Sequence, residues 1–108
     1  MKLIKKANGM IDIEVNGIIV GGADMNEAET DDSFNYLGRI DIDEEYQGKG
    51  YGTAALYELA KMYGTYYLAP DNEDAKRLYE RVATEVNDGS LYHEVLVHID
   101  QGFGVYEM

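Results

Sequence analysis

The sequence predicts an α+β fold, in which a mixed and mostly antiparallel sheet of about seven strands carries two helices. Three observations lead there. Short apolar or alternating segments punctuated by Asn8-Gly9 and Asn16-Gly17 open the chain, and Asn-Gly between such segments is a strong hairpin signal. Two later stretches repeat apolar residues at i, i+3, i+4 and i+7, the period of one buried helical face: Leu56, Leu59, Ala60 and Tyr63, then Ala75, Leu78, Tyr79 and Val82. Between them Thr65-Tyr66-Tyr67-Leu68-Ala69 is a short buried strand. The first helix therefore joins two strands that should run parallel.

In chain order, Leu3 to Ala7 is a short strand and Met10 to Val15 a second, with Ile11, Ile13 and Val15 alternating against Asp12 and Glu14. Ile18 to Ala23 is a third, whose Gly21 and Gly22 suggest a bulge or an early end. Asp24 to Ser33 is acidic and is expected to be a solvated loop. Tyr36 to Ile42 is the strand that leads into a glycine-rich turn and the first helix, which ends at Gly64, a suitable C-cap. Pro70-Asp71-Asn72 punctuates before the second helix, and either Asp71 or Asn72 can cap it. Asn87-Asp88-Gly89 is a turn, and Leu91 to Ile99 and Gly102 to Met108 are the expected last pair of strands.

The chain's 108 residues suit one domain spanning 1–108. Without cysteine there is no disulfide framework, thiolate zinc site or thiol nucleophile. No apolar run is long enough for a signal peptide or a membrane span, so a cytoplasmic protein is the simplest expectation. Nine basic residues against 21 acidic ones give a net charge of −12. Nucleic acid is a poor partner for such a surface, because phosphate neutralisation supplies most of that affinity. A cationic partner is favoured, although the same charge also serves solubility alone.

The turn Gln47-Gly48-Lys49-Gly50-Tyr51-Gly52-Thr53 lies between a strand and a helix. Its glycines allow close approach of the backbone, and the unpaired amides of a helix's first turn point back at whatever lies there, as suits a phosphate. Such turns also occur for conformational reasons alone. The spacing matches neither G-x-x-x-x-G-K-[ST] nor G-x-G-x-x-G. It does match Q-x-x-G-x-G, and in this it resembles the coenzyme A loop of the GNAT family of N-acetyltransferases. A second match follows at the family's distance, since Asn72, Ala75, Leu78, Tyr79 and Glu80 reproduce the family's N-x-x-A-x-x-L-Y-E helix. One departure stands at the front of the chain: the family usually places helices between its first two strands, and Asn8-Gly9 leaves no room for them.

The resemblance implies a GNAT-like sheet whose central parallel pair splays at the coenzyme site, and an acetyl-CoA-dependent N-acetyltransferase with no metal. It implies that backbone groups of Ile40-Asp41-Ile42 hold the pantetheine arm and the acetyl carbonyl. Amides from Gln47, Gly48, Lys49, Gly50, Tyr51, Gly52 and Thr53 would hold the pyrophosphate, with Lys49 the nearest cation. Tyr79 matches the tyrosine that protonates the departing thiolate, and an ordinary tyrosine, with pKa near ~10, is protonated in a cell. On its own, Tyr79 also reads as a core residue of an apolar stripe. Asn72 would help to hold the coenzyme arm, and it would cap the helix in any case.

Asp41, Asp43, Glu44 and Glu45 cluster at the strand end, and Asp41 is the first choice for the base; a solvated edge is the plainer reading. A calcium loop is rejected, because Tyr46 would replace its glycine and Gly52 its bidentate glutamate. His93 and His98 would face opposite sides of a strand, which argues against a shared metal. The expected partners are coenzyme A and a cationic amine or a protein or peptide acceptor, with a homodimer left open and neither nucleic acid nor membrane expected. Two rivals remain: an acidic non-catalytic interaction protein that occupies a partner's basic site, and a coenzyme-binding domain without turnover.

Overall fold

The computed structural model describes residues 1–29, 34–70, 72–86 and 105–108. Its first four strands form an antiparallel meander: β1 (Lys2–Lys5), β2 (Met10–Val15), β3 (Ile18–Asn26) and β4 (Tyr36–Ile42). Both Asn-Gly pairs turn the chain as expected. Asn8, Gly9, Asn16 and Gly17 all have positive φ, which asparagine and glycine tolerate best. Gly9 is further constrained, because a Cβ there would stand 2.1 Å from the Met25 carbonyl oxygen.

Several boundaries differ from those the sequence suggests. The first strand begins at Lys2 and stops at Lys5, because Ala7–Gly9 is already a tight 3-10 turn. Asp24, Met25 and Asn26 belong to β3 and not to an acidic loop. Met25 is buried, and Asp24 and Asn26 pair with Arg39 and Tyr36, so sheet pairing outweighs their polarity. The glycines of β3 do not end it early; the register instead skips Val20, which makes the bulge beside Gly21.

A second skip shapes the fold more. Asp24 pairs with Arg39 and Met25 with Leu37, so Gly38 has no partner on β3. This bulge lets Leu37 and Ile40, three apart, both face the core, where strict alternation would set them on opposite sides. On its other edge β4 meets β5 (Tyr67–Leu68) in parallel, through Tyr36 with Tyr67 and Leu37 with Leu68 alone. The short strand expected over Thr65 to Ala69 thus pairs at only two of its residues, and β4 from Gly38 onward is unpaired on that side among the described residues.

The helices are α1 (Tyr51–Tyr63) and α2 (Glu73–Val82). Leu56 and Leu59 of α1 and Tyr79 of α2 bury against Ile11, Ala23, Met25, Leu37 and Leu68, so both helices cover one face of the sheet. Tyr67 and Val105 form a smaller cluster on the other face with Phe34, Tyr36 and Val86. The sheet closes with β6 (Thr84–Glu85) and β7 (Tyr106–Glu107), in the order β1-β2-β3-β4-β5-β7-β6. It is a seven-stranded, mostly antiparallel α+β sheet. β6 was not visible in the sequence, and Glu107 lies in the expected last strand. The turn at Asn87, the strand Leu91 to Ile99, His93, His98, Asp31, Asp32 and Asp71 lie outside the described residues. No helix among the described residues is long and apolar enough to cross a membrane.

Candidate functional site

The parting of β4 from β5 opens a cleft of about 480 Å³ beside the glycine turn. It gathers Ile40, Asp41 and Ile42 from β4, Gln47, Gly48 and Gly50 from the turn, Tyr51, Gly52 and Thr53 from the first turn of α1, and Asn72 and Tyr79 from the start and middle of α2. All the sequence-predicted site residues but one meet here. The exception is Lys49, which is exposed and outside the lining.

Local sequence explains the turn. Gly48 and Gly50 have φ of 79° and 82°, a region costly for residues with a Cβ. Gly50 is also the N-cap of α1 and offers no side chain to its amides. The Ala54 amide bonds back to the Gly50 carbonyl at 3.0 Å, and the amides before it face the cleft end of the helix. Gln47 donates its side-chain amide to the Ile42 carbonyl at 2.8 Å, which ties the turn to the end of β4. This side chain fastens the loop. Asn72 caps α2, its Oδ1 accepting from the Ala75 amide at 2.8 Å.

Tyr79 is buried, 5% exposed, and meets the ring of Tyr106 edge-on at 6.2 Å between centroids. Tyr106 in turn donates to a Glu80 carboxylate oxygen at 3.4 Å, and burial, followed by the Glu80 and Glu85 charges, pushes its phenol's pKa upward. Tyr79 is therefore both a buried residue of the apolar stripe and a lining residue of the cleft. Asp41 alternates away from Ile40 and Ile42 and so emerges on the face opposite the helices, largely exposed and paired with Arg39 at 3.0 Å. Asp43, Glu44 and Glu45 are exposed and outside the cleft, Glu44 and Glu45 forming a single 3-10 turn with Tyr46. No group of three or more His, Asp or Glu suited to a metal occurs among the described residues.

Gly38, Arg39, Tyr46, Asp74 and Arg81, not expected as site residues, also line the cleft, as do Ala75 and Leu78 of the second motif. A signal for some of them was present. Asp74 and Arg81 stand four before and three after Leu78, itself a member of the stripe with Ala75, Tyr79 and Val82.

The family model described as the acetyltransferase (GNAT) family matches residues 2–83. A solved structure from Bacteroides thetaiotaomicron, described as a candidate acetyltransferase from the GNAT family, shares the fold with a TM-score of 0.59 at 20% identity. The likeness covers 92% of this chain and 58% of that one, so this chain spans little more than half the length of its structural neighbour. Comparison with curated proteins gives no match.

Proposed function

The chain belongs to the GNAT acetyltransferase family, and from that premise we propose that it transfers the acetyl group of acetyl-CoA to the nitrogen of an amine. The observation that carries this reading is the cleft itself, where the unpaired length of β4, the glycine turn, Asn72 and Tyr79 face one space. Backbone N–H and C=O groups of Gly38 to Ile42, freed from β5, offer hydrogen bonds to an extended amide-bearing arm. The amides at the start of α1, with Gly48 and Gly50, suit its pyrophosphate.

In the reaction, the amine nitrogen bonds to the thioester carbonyl carbon and the carbon–sulfur bond breaks. The amine gives up a proton and the thiolate gains one. Tyr79 supplies the thiolate's proton. Asp41, on the far side of β4, accepts the amine's proton directly or through water, while Arg39 fixes its carboxylate. Acid and base then lie on opposite sides of the gap, which suits a donor bound on the helix side and an acceptor arriving from the other. No α-helix covers that other face among the described residues. An open approach and a net charge of −12 favour a cationic acceptor such as a peptide or protein amine.

Calorimetric titration with acetyl-CoA tests the donor, and absence of binding at millimolar ligand would overturn the proposal. Mass spectrometry of a mixture of amines and basic peptides, incubated with labelled acetyl-CoA, tests the acceptor. Binding with no labelled product would leave a coenzyme-binding domain without turnover.

A further inference from the structure

The turn that would hold the coenzyme's phosphates contains one cation, Lys49, and the structure leaves it outside the cleft. Among the described residues, four charged ones line the cleft: Arg39, Asp41, Asp74 and Arg81. Three of them are engaged. Arg39 and Asp41 pair with each other, and Asp74 pairs with Arg77 at 3.4 Å. Arg81 makes no ion pair with any described residue, so among the described lining residues it is the one charge without an ion-pair partner, on a protein of net charge −12.

Its place on α2 directs that charge. Leu78, one turn earlier on the same stripe, lies against the first turn of α1; a Cβ added to Gly52 would meet its Cδ2 at 3.6 Å. Side chains on a helix lean toward its N-terminus, which for Arg81 is the direction of Leu78, and Arg81 lines the same cleft as Gly52 and the first turn of α1. A guanidinium also suits phosphate better than an ammonium does, because its planar fork gives paired hydrogen bonds.

We propose that Arg81, and not Lys49, is the cationic residue that engages a phosphate of the coenzyme. The inference rests on the reading of the cleft as a coenzyme A site, and it adds a residue that the two family motifs do not contain. Both the pyrophosphate and the 3′-phosphate offer the same chemistry, and the ligand series below separates them.

Affinities of the full chain for coenzyme A, 3′-dephospho-coenzyme A and pantetheine are measured by calorimetry for wild type, Arg81→Gln, Arg81→Lys, Lys49→Gln and Lys61→Gln. Lys61 is exposed near the end of α1 and paired with Glu58, so Lys61→Gln carries the same loss of one positive charge away from the cleft. A charge-assisted hydrogen bond corresponds to about tenfold or more in affinity. Arg81→Gln is therefore expected to weaken coenzyme A about tenfold while pantetheine is unchanged, and Arg81→Lys to recover part of the loss. Persistence of that loss with the dephospho ligand assigns the pyrophosphate, and its disappearance assigns the 3′-phosphate. Lys61→Gln is expected to change nothing beyond twofold. An Arg81→Gln affinity within twofold of wild type overturns the inference, as does an equal loss for pantetheine or a larger loss in Lys49→Gln. Failure of wild type to bind coenzyme A would instead sink the coenzyme reading, a different outcome.

Discussion

Leu37 of β4 and Leu68 of β5 are the last residues that these parallel strands pair, and the bulge at Gly38 lies directly beyond them. The same two side chains are nearly inaccessible in the main core, so the point where the cleft opens is anchored by packing.

Leu68→Ala tests that anchor. Removing a fully buried leucine costs about 2–5 kcal/mol, with the larger values where the surroundings cannot collapse. Beside a fixed bulge, collapse is poor. Urea unfolding should therefore show a loss in the upper half of that range, with coenzyme affinity reduced in the protein that remains folded. A change under about 1 kcal/mol would show that the parting of the strands does not depend on this contact.

Gly21 and Gly22 make a paired test of the opposite wall of β4. A Cβ on Gly21 would stand 2.1 Å from the Asp41 carbonyl oxygen and 3.0 Å from the Ile42 Cα, both backbone atoms that cannot swing aside. On Gly22 it would meet the Ile11 carbonyl oxygen at 3.4 Å, an ordinary contact. Gly21→Ala should destabilise by about 2 kcal/mol or more, in the tail that strain in a packed interior produces, while Gly22→Ala stays within about 1 kcal/mol. Equal thermal midpoints for the two variants would remove the argument.

These cases also mark what could be read beforehand. The helices, the Asn-Gly turns and the glycine turn were legible because each is written locally, in periodicity or in residues that favour positive φ. The glycine motif with Asn72 and Tyr79 then pointed to residues that meet in one cleft. Gly38 was not legible, since a lone glycine in a strand does not say whether the register skips it; that depends on Asp24 and Met25, over ten residues away. Asp24 and Asn26 were misplaced for a related reason: polar residues look like a loop until a neighbouring strand pairs with them. Lys49 was named as the nearest cation from its place in the turn, but nearness in sequence does not say whether a side chain lines the cleft, and Lys49 does not.

Alkaline pH should unfold the protein through its tyrosines. Tyr66 is wholly buried and donates to the Leu56 carbonyl at 2.7 Å, and burial raises its pKa. Tyr63 is pushed up to about 12, by burial first and then by the neighbouring Glu27 carboxylate. In the unfolded chain tyrosine ionises near ~10. Above that pH the unfolded state loses protons that the folded state keeps, so stability is full below about 10 and falls as pH rises toward 12. Urea midpoints at a series of pH values from 7 upward should be level at first and then decline. Tyr66→Phe should cost about 1 kcal/mol at neutral pH, the worth of one hydrogen bond, and make the alkaline decline shallower. A midpoint that holds steady well above pH 10 would contradict the assignment.

Tyr79→Phe separates the residue's two roles. The ring that packs on Tyr106 is retained, so stability should change by no more than about 1 kcal/mol. A positioned proton donor contributes roughly 10²–10⁴ in rate, so kcat for acetyl transfer should fall about a hundredfold or more, while KM for acetyl-CoA moves only a few-fold. That split matters because a purely structural tyrosine would move stability or KM without a selective effect on kcat. If kcat stays within twofold, Tyr79 is a packing residue of α2 and the thiolate takes its proton from water. If kcat falls only for amines whose acetylation produces the poorest match to the cleft, the loss reports acceptor positioning and the acid role again fails. A drop common to all acceptors is the result that the buried, cleft-facing position of Tyr79 leads us to expect.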